Sequence, residues 1–162
     1  MQLEDIKRLQ SLMRRQDWTS AYALLDQVRD GAATREDIAS EAHWRAAALG
    51  REQRFAEAIE LLREKARFFG SQCLVNHNIA NCLSKLGRDE EAVQELKKAP
   101  IEEEMGSFYG LAIDAKFFLF YLLAKNGDAS VEERLSEIPD DYRHIAMGGK
   151  RLTKADIIAL LK

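Results

Sequence analysis

Three of the chain's five cysteine and histidine side chains fall in one stretch, from Cys73 to Cys82. Cys73, His77 and Cys82 run as C-x3-H-x4-C. On a helix Cys73 and His77 share a face, but Cys82 stands about 140° round from His77. The three cannot converge on one ion, and a fourth ligand such as His43 would have to come from elsewhere. No metal is expected, and the two thiols are expected to be buried and reduced. His77, Asn78 and Asn81 suit a different task. Amide groups can bond the backbone of an extended peptide, and imidazole can donate or accept near neutral pH. His43 lies 34 residues before His77 and joins the set. The competing reading is a solvated helix face with no ligand.

Catalytic patterns are missing. The chain has no Gly-x-Ser-x-Gly, no cysteine beside a clear base and no phosphate loop. "MGGKRLT" holds glycines and a lysine without the spacing of a nucleotide loop. The run Glu102 to Glu104 reads as a solvated turn or a helix start, where carboxylates suit the dipole. Arg143, His144, Lys150, Arg151 and Lys154 form a small basic patch, expected to be plain surface rather than a contact for an acidic partner or RNA. The net charge of −3 argues against a general grip on nucleic acid. The expectation is a chain that is not an enzyme and holds no cofactor.

The elements that must position these groups are helices. Of 162 residues, 46% are apolar, 31% are charged and only two are proline, which fits one folded helical domain. The opening "MQLEDIKRLQSLMRRQ" has no apolar leader pattern, and the longest apolar run, Phe117 to Ala124, is too short to cross a bilayer. A cytoplasmic location with no membrane contact is therefore expected. Leu3, Ile6, Leu9, Leu12 and Met13 form one helical stripe; Trp18, Ala21, Tyr22, Leu24, Leu25 and Val28 form the next. Further helices are expected at about 35–49, 55–68, 71–86 (capped by Ser71), 89–98 and 107–125. Gly31 and Gly87 read as helix ends and Thr34 as an N-cap. Beyond Asn126 and Gly127, a short helix capped by Ser130 is expected. "HIAM" and "RLT" read as a hairpin or a plain loop, "MGGK" as a tight turn, and Thr153 with Asp156 as a capping box for a last helix through Leu161.

The helices come in pairs, and the pairs repeat. "RFAEAIELL" at Arg54 to Leu62 matches "RDEEAVQEL" at Arg88 to Leu96, with Glu57, Ala58, Ile59 and Leu62 over Glu91, Ala92, Val93 and Leu96. The offset is 34 residues, and "DWTSAYALL" at Asp17 to Leu25 aligns at an offset of 37. In the third pair Ile79, Ala80, Leu83, Gly87, Ala92, Leu96, Ala99 and Pro100 occupy the small, bulky and turn positions of a known pattern. On these residues the chain resembles the tetratricopeptide repeat family over about 1–100. Without a gap, Arg45 falls on Ile79 and Gln53 on Gly87; a turn at Gly50 would slide that helix by three residues. The ungapped register is preferred because it sets Ala46 on Ala80 and Leu49 on Leu83.

The resemblance implies an all-α fold, a right-handed α-α superhelix of three to four helical hairpins. Residues 1–100 supply three pairs, and 101–162 a degenerate fourth pair with a C-terminal cap in the same domain. It also implies a non-catalytic adaptor or chaperone that holds a protein or peptide partner in a concave groove lined by His43, His77, Asn78 and Asn81. His43 and Ala47 stand where the family's carboxylate-gripping members carry Lys and Asn, which weighs against recognition of a chain terminus. The length and layout are also similar to small secretion-system chaperones. The alternative is a self-associating scaffold, a homodimer or larger, that shares the apolar side chains of Ile157, Ile158, Leu160 and Leu161 between copies.

Overall fold

The computed structural model describes every residue except 146–148, where the first half of the expected "MGGK" turn and the end of "HIAM" lie. The described residues are all-α apart from one two-residue strand pair. They divide into two compact units, Met1–Gly70 and Ser71–Lys162. No helix among the described residues is long and apolar enough to cross a membrane.

The first unit holds α1 (Leu3–Arg14), α2 (Trp18–Asp30), α3 (Arg35–Arg51) and α4 (Phe55–Lys65), the last followed by a 3-10 turn at Ala66–Phe68. The two apolar stripes of α1 and α2 meet as one core of Leu9, Leu12, Met13, Ala21, Leu24 and Leu25, reached by Ala48 of α3. Thr34 caps α3 by accepting from the Asp37 N–H at 3.1 Å. Gly31 ends α2 at φ −93°, so its freedom to turn left-handed is not used. Arg35 donates to the carbonyls of Phe68 and Phe69 at 3.0 and 3.1 Å, satisfying groups that the end of the 3-10 turn leaves open.

The second unit holds α5 (Gln72–Lys85), α6 (Asp89–Lys97), α7 (Ile101–Glu104), α8 (Tyr109–Lys125), α9 (Val131–Arg134) and α10 (Lys154–Leu160). Strands β1 (His144–Ile145) and β2 (Arg151–Leu152) pair antiparallel, with His144 opposite Leu152. α8 packs on α5, α6, α7 and α10, which explains its apolar surface on all sides. Its Phe117, Phe120 and Leu122 are fully buried, and each such side chain contributes about 1.5–3 kcal/mol relative to exposure.

One turn recurs four times. Gln16, Gln53, Gly87 and Gly127 take left-handed φ values of 58°, 63°, 75° and 83°. The next residue then donates back across the turn: Asp17 to Leu12, Arg54 to Leu49, Arg88 to Leu83 and Asp128 to Leu123, at 2.9–3.0 Å. This is the hydrogen bond of a Schellman helix end. It stops each helix, and after three of the four turns another helix packs back on the one just ended, as α1 with α2, α3 with α4 and α5 with α6. Gln53 therefore makes the second pair's turn, and Gly50 lies buried inside α3. Arg54 grips Glu57 with two bonds of 2.8 and 2.6 Å, and Arg88 grips Glu91 with two of 2.6 and 2.7 Å. Ala58 and Ala92 are each 0% exposed at the equivalent place on the following helix. Arg45, in the place of Ile79, replaces an apolar contact with ion pairs to Glu41 at 2.5 Å and Asp26 at 2.8 Å.

Polar groups finish the second unit. The Glu104 carboxylate accepts from Ser71 Oγ (2.5 Å), Gln72 N–H (2.7 Å) and Cys73 N–H (3.3 Å), and Ser71 accepts from the Leu74 N–H. Glu104 is thus a cap for α5 rather than a solvated acid, placed where the helix dipole favours a negative charge. Ser130 makes no cap bond to the helix after it; its N–H and hydroxyl instead bond Asp128. Buried Lys116 pairs with Glu102 at 2.7 Å and Glu137 at 3.0 Å. The capping box of Thr153 and Asp156 starts α10.

Three outcomes follow for stability measured by urea unfolding. Gly87→Ala is expected to cost about 1 kcal/mol and Gln53→Gly to gain up to about 1 kcal/mol, because both act on a left-handed backbone. Ala92→Leu is expected to cost about 1–3 kcal/mol, since no space remains around that methyl group.

Candidate functional site

The four residues singled out by type occupy two units. His43 lies on α3 of the first; His77, Asn78 and Asn81 lie on α5 of the second. His43 packs edge-on against Trp44 at 5.5 Å. Its Nδ1 is buried with no hydrogen-bond partner among the described residues, and burial lowers its pKa. Asn78 is half-buried and makes no side-chain hydrogen bond among the described residues. The neighbouring Asn76 is structural: its amide bonds the Glu95 carboxylate at 3.0 Å and joins α5 to α6.

His77 and Asn81 form a pair one helical turn apart. The Asn81 amide donates to the His77 carbonyl at 3.0 Å and approaches His77 Nε2 at 3.1 Å. The carbonyl fixes the amide nitrogen as the near atom, so Nε2 accepts and the neutral ring carries its proton on Nδ1. Around His77 the C-terminal strand pair supplies His144, whose ring centre is 5.3 Å away at an interplanar angle of 88°. His144 is 1% exposed, so it leaves the basic patch suggested by the sequence and enters the core. Lys154 of that patch is held by Asp140 at 2.6 Å.

His144 sits in a column of rings. Phe117 stacks on one side of it at 5.1 Å and Phe118 at 5.7 Å, and Phe118 stacks in turn on Tyr121 at 6.4 Å. The other end of the cluster is polar. His144 Nδ1 lies 3.5 Å from Asp114 and 3.4 Å from the Tyr142 hydroxyl, and that hydroxyl donates to Asp114. Hydrogen bonds from His144 and Tyr142 outweigh burial and hold the Asp114 carboxyl below its usual range, while burial and Asp114 raise the Tyr142 hydroxyl. Burial first, and the nearby His144 second, push His77 down to about 4.

Beside this column opens a cleft of about 250 Å³. Asn81, Lys85, Tyr121, Lys125, Lys150 and Leu152 line it, with Phe118 beneath. Lys125 pairs with Asp89 at 2.6 Å, and Ser84 bonds the same carboxylate. Lys85 and Lys150 are exposed and form no ion pair among the described residues. Tyr121, Lys125 and Lys85 are absent from the set chosen by residue type. Their signal is spacing: 81 with 85 on α5, and 118, 121 and 125 on α8, fall on single helix faces.

The cysteines have no site character. Cys73 and Cys82 are buried and free, and burial raises their thiols to about 12 and about 11, with Glu104 adding to the effect on Cys73. No group of His, Cys, Asp or Glu among the described residues is arranged to hold a metal ion.

Acid should weaken the second unit through His77. Its folded pKa is depressed, so the unfolded chain binds the proton first once the pH falls below about 6.5. Stability is full above that value and falls as the pH drops toward 4. Between pH 7 and pH 4.5 the loss due to His77 is expected to be about 2 kcal/mol, read from urea midpoints, and His77→Gln should remove that part of the slope.

No protein-family model matches the chain, and neither a curated protein nor a solved structure matches it.

Proposed function

We propose that this chain is a non-catalytic interaction module, an adaptor or chaperone, with a tetratricopeptide-like fold. The observation that carries the reading is the fourfold turn with its back-bonded amide. At Gln53 and Gly87 it comes with the same buried alanine, Ala58 or Ala92, and the same arginine–glutamate fork, which is how a repeat of helical hairpins is built. The 34-residue spacing of Gly87 from Gln53 is the period of the tetratricopeptide repeat. In such repeats the first helix of each pair faces the ligand. The corresponding surface in the second unit is that of α5 and α8, where Asn81 and Tyr121 meet in one cleft. Rigid helices present such a surface at little entropic cost to the binder.

The polar groups elsewhere support a binding role over a catalytic one. Asn76, Glu104, Lys116 and Arg45 each serve a helix start or a helix contact. The cell compartment in which the module works is proposed to be the cytoplasm.

The second reading is self-association through the tail. Ile145, Ile158 and Leu160 are 66%, 38% and 40% exposed, whereas Ile157 is fully buried and is not available to another copy. Exposed apolar side chains of this kind suit a shared surface.

Photo-cross-linking in the native cell separates the two readings. A benzoylphenylalanine in place of Tyr121 is expected to capture a different protein, and one in place of Gln94 on α6 to capture none. Capture only of a second copy, most strongly from position 158, would support the scaffold instead.

A further inference from the structure

The cleft beside Tyr121 carries a charge pattern at odds with the rest of the chain. Overall the chain is acidic, at −3. Around the cleft stand Lys85, Lys125 and Lys150, and the carboxylate facing them, Asp89, is bonded to Lys125 and Ser84. Lys85 is therefore left without an ion pair among the described residues, and the one carboxylate near Lys150, Asp156, is engaged by Thr153. The apolar side of the cleft is aromatic and ordered. Tyr121 is the outermost ring of the Phe117–His144–Phe118–Tyr121 column and is half-buried, so it has surface left to cover. Asn81 uses its amide N–H groups on His77, which leaves its oxygen as an acceptor.

We propose that this cleft takes an aromatic side chain flanked by carboxylates, presented by an acidic segment of a partner protein. The ring extends the column by packing against Tyr121, where aromatic pairs add to simple area burial. The carboxylates meet Lys85 and Lys150, and the Asn81 oxygen accepts a backbone N–H of the segment. A volume of about 250 Å³ admits one large side chain rather than a folded surface. A nucleotide would also offer a ring and negative charge. The peptide is favoured because the lysines stand on separate elements, α5, α8 and the β2 approach, and so match charges spread along a chain better than one phosphate group. The inference rests on the interaction reading above and names the partner's chemistry.

The test uses the purified full chain and fluorescein-labelled peptides of equal length. One carries four glutamates around a tryptophan, one has the glutamates replaced by glutamine, one by lysine, and one has the tryptophan replaced by alanine. Fluorescence anisotropy is expected to show the first peptide bound at least tenfold more tightly than each of the others. Raising the salt from 50 to 500 mM should weaken it tenfold or more. Lys85→Glu with Lys150→Glu should abolish the preference, and because both side chains are exposed, circular dichroism should be unchanged. Tyr121→Leu should reduce binding of the tryptophan peptide to the level of its alanine form. Equal binding of the neutral or lysine peptide overturns the proposal and leaves the interaction reading standing. Binding of none of them, or binding of ATP or poly-uridine through the same two lysines, overturns it as well, and the cross-linking above then decides the broader reading independently.

Discussion

The structure depends on a backbone hydrogen bond that only a left-handed residue permits. A helix end leaves carbonyls without partners. Here the residue after the left-handed position turns its N–H back to a leucine carbonyl five residues earlier, at Leu12, Leu49, Leu83 and Leu123. That one bond ends the helix and points the chain back along it. The leucine whose carbonyl accepts is, in three of the four cases, also a buried core side chain. Helix termination and core packing are therefore fixed by the same residue. The alanines at 58 and 92 then let the returning helix come close.

Within the second unit this arrangement decides where chemistry can occur. α8 is surrounded, so its polar residues are either neutralised inside, as Lys116 is, or directed to an edge. The strand pair closes over the His77 side of α5 and brings His144 between Phe117 and Phe118. Burial, and then the neighbouring His144, disfavour a proton on His77. The cluster is balanced on its far side by Asp114, which keeps the rings in place with Tyr142. What remains open is the cleft at Tyr121, where ordered rings meet Lys85 and Lys150, neither held in an ion pair among the described residues.

Much of the local architecture was legible in the residues. Thr34, Ser71 and the Thr153–Asp156 box cap their helices as their types suggest. Period and small residues located the helix pairs. The failures have physical causes. Gln53 adopts a glycine's conformation, so the turn was recognisable only through its register with Gly87. Ser130 has the residue type of a cap, but Asp128 is the better acceptor and takes its hydrogen bonds. Glu104 and His144 looked like surface charges because their partners, the start of α5 and the Phe117–Phe118 pair, are distant in sequence. For the same reason the cleft was only partly visible: Asn81 was chosen by type, whereas Tyr121, Lys125 and Lys85 join it through packing.

The central claim is that one back-bonded left-handed turn is used four times. Amide hydrogen exchange followed by NMR tests it most directly. The N–H groups of Asp17, Arg54, Arg88 and Asp128 are each bonded to a carbonyl and are predicted to exchange slowly relative to the exposed amides beside them. Free exchange at Arg54, with the helix end displaced to Gly50, would contradict the account, because the second pair would then be built on a different turn from the others.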